Sequence, residues 1–62
     1  MAITHKCYIV ELSTELEGLF DELHDAGIPY NATPFGISYL EVLCVVEERE
    51  IPMLQSIFAP YV

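Results

Sequence analysis

Residues 38–48 (SYLEVLCVVEE) constrain the fold more than any other stretch of this chain. Alternation places Leu40, Val42, Cys44 and Val46 on one side, and Tyr39, Glu41, Leu43, Val45 and Glu47 on the other. Val-rich segments with this period are strands, and a strand is stable only beside others. Residues 5–12 (HKCYIVEL) read as a second strand from their β-branched and aromatic content. Residues 30–35 (YNATPF) read as a weaker third, because Pro34 lacks the ladder donor and belongs on an edge. Gly36 supplies the turn between the last two.

The intervening segments carry a different period. Over residues 14–26, Leu16, Leu19, Phe20 and Leu23 fall at the i, i+3, i+4, i+7 spacing of one helical face. Thr14 is the expected N-cap, with Glu17 completing a capping box and Ser13 competing for the role. Gly27 suits the left-handed position after a helix end, and Ile28-Pro29 cannot continue the helix. Pro52 fits the first turn of a second helix reaching about Ala59, with Leu54, Ile57 and Phe58 inward and Pro60 ending it.

The order β-α-β-β-α predicts an α+β domain: a small three-stranded antiparallel or mixed sheet with both helices on one face. It resembles a truncated ferredoxin-like fold without its last strand. A right-handed crossover is expected if the first two strands are parallel neighbours. Tyr8, Val10 and Leu12 are expected to face the helices. Cys7, Ile9 and Glu11 then join Tyr39, Glu41, Leu43 and Val45 on an open sheet face, where apolar groups rimmed by acids suit a protein interface.

With 62 residues the chain is one domain, and a domain this size buries only about 60% of its unfolded surface. The apolar fraction of 53% argues against disorder and for either a dense core or an apolar surface kept for association. Ten acids against Lys6 and Arg49 give a formal charge of −8. That balance repels phosphates, so it excludes direct nucleic-acid binding and disfavours anionic membrane. No apolar run approaches a membrane span, and Met1 to Lys6 does not open a signal peptide. Cys7 and Cys44 therefore read as reduced thiols of a cytoplasmic protein.

A search for chemistry points away from an enzyme. Ser13, Ser38 and Ser56 have no nucleophile-elbow context, and neither cysteine stands in a recognisable motif with a histidine. Gly18, Gly27 and Gly36 are isolated and form no phosphate loop. His24 with Asp21 and Glu17 has the spacing to touch a divalent ion, but one helix face supplies few ligands; a solvated polar face explains it better. No metal or cofactor is expected.

The remaining signal is the polar face of the first helix. Glu15, Glu17, Asp21, Glu22 and Asp25 fan out opposite the leucines without one Lys or Arg among them. Glu17 and Asp21 are like charges at i, i+4, which destabilises a helix slightly. Solubility alone explains the total charge but not this clustering. The segment ELEGLFDELHDAG (15–27), the short length and the lack of a catalytic motif resemble the small acidic proteins that phages encode against host defences, anti-CRISPR proteins above all. The resemblance implies a stoichiometric inhibitor in a bacterial host cytoplasm, occupying the DNA-binding surface of a CRISPR effector complex, in some members by mimicking DNA charge.

The function expected is thus a non-enzymatic inhibitor of a basic nucleic-acid-binding protein. Glu15, Glu17, Asp21, Glu22 and Asp25 would make the charged contacts, and Glu47, Glu48 and Glu50 a secondary cluster. Tyr30, Phe35, Tyr39 and Leu43 would serve as apolar anchors. The alternative, of another class, is a small dimerising or ligand-sensing module associating through its open sheet face as a homodimer.

Overall fold

The computed structural model describes residues 2–62; Met1, the first residue of the stretch expected not to open a signal peptide, lies outside the described residues. Its elements are β1 (Ile3–Glu11), α1 (Leu16–Asp25), β2 (Tyr30–Phe35), β3 (Tyr39–Glu47) and α2 (Ile51–Phe58). Single 3₁₀ turns occupy Glu48–Glu50 and Ala59–Tyr61. The order is β-α-β-β-α, and the sheet is antiparallel throughout in the order β1-β3-β2.

β3 is central because both of its edges are used. It pairs with β1 from Ile3↔Glu47 to Glu11↔Tyr39, and with β2 from Tyr30↔Cys44 to Phe35↔Tyr39. β1 and β2 run the same way but are not neighbours, since β3 splits the β-α-β unit. The condition attached to a right-handed crossover between adjacent parallel strands is therefore not met. Gly36, at φ +71°, opens the β2–β3 turn, where a side chain would strain the backbone.

Both helices cover one face of the sheet. Val10 from β1, Val42, Cys44 and Val46 from β3, Leu16, Leu19 and Leu23 from α1, and Leu54 and Phe58 from α2 form the core with Ile28. Alternation in β3 thus places the side chains as its sequence predicts. Phe58 of α2 stacks on Tyr8 of β1 with ring centroids 4.1 Å apart, and Phe20 of α1 stacks on Tyr30 of β2 at 5.1 Å. Consequently α2 lies over the β1 side of the sheet and α1 over the β2 side. Ile57 is half-buried against the same core.

Helix α1 ends as Gly27 predicts. Gly27 has φ +70°, its N–H donates to the His24 carbonyl at 3.0 Å, and the Ile28 N–H donates to the Leu23 carbonyl at 3.0 Å. That pair of bonds is a Schellman closure, with buried Ile28 as its apolar member.

Its start differs from expectation. The N-cap position is Glu15, not Thr14, and no side chain caps it. Glu15 already has helical angles (φ −74°, ψ −13°), whereas a capping side chain needs an extended backbone to reach the next N–H groups. Backbone bonds replace it, from Leu16 N–H to the Ser13 carbonyl at 3.3 Å and from Gly18 N–H to the Glu15 carbonyl at 3.1 Å.

Leu12 is a second correction: it is 48% exposed rather than turned inward. β1 ends at Glu11, and Leu12 is held by its N–H to the Ser38 carbonyl at 2.8 Å while the chain leaves the sheet.

Candidate interaction surfaces

A sheet covered on one face by helices has two different outsides. The helical outside is anionic. Glu15, Glu17, Asp21, Glu22 and Asp25 are all exposed, because Leu16, Leu19 and Leu23 take the opposite side of the same cylinder into the core. Glu17, Asp21 and Asp25 form one row at i, i+4, i+8, stepping about 6 Å along the axis. From Glu15 to Asp25 the five carboxylates span about 15 Å of helix, or one charge per ~4 Å. A single DNA strand carries one per ~3.4 Å of axis.

None of these acids meets a cation among the described residues. The one ion pair there joins Arg49 Nε to Glu47 Oε2 at 2.7 Å. Glu47 is thereby committed locally, and its N–H donates to Glu50 Oε1 at 2.9 Å in a reciprocal capping box around the Glu48–Glu50 turn. Of the secondary acidic cluster, only Glu48 lacks a local partner of this kind. Glu47, Glu48 and Arg49 line an open depression of about 270 Å³ with Ala2.

The other outside is the uncovered sheet. Its cross-strand rows are read from the register: His5 beside Val45, then Cys7–Leu43–Asn31, Ile9–Glu41–Thr33 and Glu11–Tyr39–Phe35. Phe35, Tyr39, Leu43 and Ile9 are exposed there. Three of the four expected anchors therefore share this face. Tyr30 does not: it lies on the helix-covered side, stacked on Phe20. His5, inside the expected strand, and Ile3, before it, extend the open face beyond the residues expected on it, and continued alternation from Cys7 back to Ile3 is the signal that marks them.

The anionic helix and the apolar sheet lie on opposite sides of a two-layer molecule. One flat partner cannot touch both.

The two thiols differ. Cys44 is fully buried, and burial pushes its pKa up to about 11, with Cys7 adding a smaller push. Cys7 is exposed on the open face; partial desolvation and then the Glu41 carboxylate raise its pKa above the ordinary value. Both are therefore neutral thiols at pH 7. Among the described residues no three His, Cys, Asp or Glu side chains converge as metal ligands would, and His24 stands exposed on α1. No helix among them is long and apolar enough to cross a membrane.

No protein-family model matches this chain, and no curated protein or solved structure matches it.

Proposed function

We propose that this protein is a non-enzymatic inhibitor that binds the cationic, nucleic-acid-contacting surface of another protein through the exposed face of α1. The observation carrying this reading is the set of five unpaired carboxylates along one short helix, with a charge spacing close to that of a nucleic-acid strand. Fields of one sign steer association with a cationic groove and raise its rate. Apart from Glu15 and Glu17, whose charges suit the positive N-terminal end, the acids do nothing for the helix that displays them: like charges at i, i+4 oppose it, and Asp25 sits at its negative C-terminal end. A CRISPR effector subunit is one target of the required chemistry.

The test compares capture from a bacterial lysate by the wild-type chain and by the Glu17→Lys/Asp21→Lys variant. The expected result is recovery of DNA-binding proteins at low salt, their release by added duplex DNA, and loss of capture by the variant. Capture that survives both the charge reversal and the DNA competitor would overturn the reading. The open sheet face favours a second reading, association through Phe35, Tyr39 and Leu43. Under it, Leu43→Asp abolishes association while the helix variant leaves it intact.

A further inference from the structure

The two edges of the sheet are built differently. Bonds just beyond the β1–β3 ladder, from Leu12 N–H to the Ser38 carbonyl (2.8 Å) and from Glu48 N–H to the Ala2 carbonyl (3.2 Å), fix the parity of the pairing. Even-numbered residues of β1 turn their backbone N–H and C=O toward β3, so Ile3, His5, Cys7, Ile9 and Glu11 turn theirs outward. All five are exposed, and each keeps its N–H. No further strand pairs with them among the described residues.

On the opposite edge the Val45 N–H to Pro29 carbonyl bond (3.0 Å) sets the parity of β2. Tyr30, Ala32 and Pro34 face outward there, and Pro34 has no donor to offer. Proline is a common guard on an edge strand. β1 carries none.

The two helices differ in charge in the same way. The five acids of α1 stand on the β2 side, whereas α2 (IPMLQSIF), over β1, contains no charged residue. Lys6, the single lysine, lies half-buried on the helix-covered face of β1.

We propose that two copies of this chain pair through β1, antiparallel about a two-fold axis at Cys7, into one continuous six-stranded sheet. Cys7 is the middle residue of the nine in β1. In that register Ile3 meets Glu11 of the second copy, His5 meets Ile9, and Cys7 meets Cys7. These are the outward-facing residues, so each pair exchanges two backbone hydrogen bonds. Lys6 falls opposite Tyr8 and Glu11 opposite Ile3, so no like charges stand face to face. A register shifted by one residue would bring inward-pointing backbone groups to the seam and lose those bonds. Both helical layers lie on the same side of the joined sheet, with the acidic helices at its far edges.

This inference is independent of the cationic-partner reading, and salt separates the two. Because each copy carries −8, added salt screens their repulsion and strengthens the pairing, whereas it weakens binding to a cationic surface. Sedimentation of the full chain under reducing conditions is expected to give twice the 7.0 kDa of one chain, falling to single mass on dilution. His5→Pro removes one outward N–H and leaves the ladder to β3 untouched; it is expected to keep the circular dichroism and lose the dimer. Thiols at the axis sit on Cα atoms about 5.5 Å apart, within disulfide reach. Diamide, which takes up the two thiol hydrogens, should therefore cross-link the wild type and not Cys7→Ser. A chain that stays at single mass at every concentration and resists cross-linking overturns the proposal. So does a dimer that survives His5→Pro and disappears with Leu43→Asp, which would assign the contact to the open face. Should His5→Pro fail to fold, the cross-link decides.

Discussion

If the acids of α1 are kept for a partner, removing one beyond its N-terminal turn should make the fold more stable. Asp25→Lys is the sharpest case. Asp25 is the last residue of α1 and stands one turn beyond Asp21 on the same exposed row. Its charge faces the negative end of the helix, an arrangement that costs about 0.3 kcal/mol at an exposed site, and lysine reverses the sign. The Asp21 repulsion, about 0.2–0.5 kcal/mol, becomes an attraction of similar size, with the acid N-terminal to the base as that pair prefers. The four contributions act in one direction and amount to about 1–1.5 kcal/mol. For a domain of this size that is about 8–12 °C in Tm. Thermal unfolding followed by circular dichroism at low salt reads the rise, and most of it should vanish near 1 M salt, where the screening length is about 3 Å. A fall in Tm would show that the Asp25 carboxylate is held by the fold, and a rise indifferent to salt would show that the gain is not electrostatic; either result defeats the argument from unpaired charge.

Two more predictions rest on single residues. Gly27→Ala places a methyl in open space but at φ +70°, so it should destabilise by about 1–2 kcal/mol through backbone strain alone, read by urea unfolding with an unchanged slope. Glu41 helps hold the Cys7 pKa up, so Glu41→Gln lowers it and should speed the reaction of Cys7 with a disulfide reagent at pH 8; an unchanged rate would remove Glu41 from that role, and Cys44 should react only after unfolding.

Periodicity made most of this architecture legible. The bounds of β2, the inward set of β3, the edge position of Pro34 and the closure at Gly27 all follow from local rules that the packed structure does not override. Where it does override them, the cause is tertiary. Ile3 and Thr4 join β1 because Glu47 and Val46 extend the partner strand to meet them; their β-branched side chains permit a strand but do not say how far it runs. Thr14 loses its capping role to a backbone turn. Tyr30 looks like a free anchor in the sequence, yet its ring is taken by Phe20 across two elements. The carboxylates of α1 were readable as a group because helical spacing is local. That Glu47 and Glu50 serve the chain's own turn instead was not, since the box there has Glu where Ser or Thr usually stands. His5 and Ile3 could have been placed on the open face by extending the alternation two steps.

The insertion of β3 between β1 and β2 also orders the events of folding. The β2–β3 hairpin closes over a few residues, from Phe35 to Tyr39, whereas β1 meets β3 only by joining Ile3 to Glu47 across most of the chain. Local closure costs less entropy, so the hairpin forms first and the N-terminal strand docks last. Until it docks, the inner edge of β3 is a vacant template, and the same strand from a neighbouring chain fits it as well as its own. Refolding at high protein concentration should therefore favour exchange of that strand between molecules.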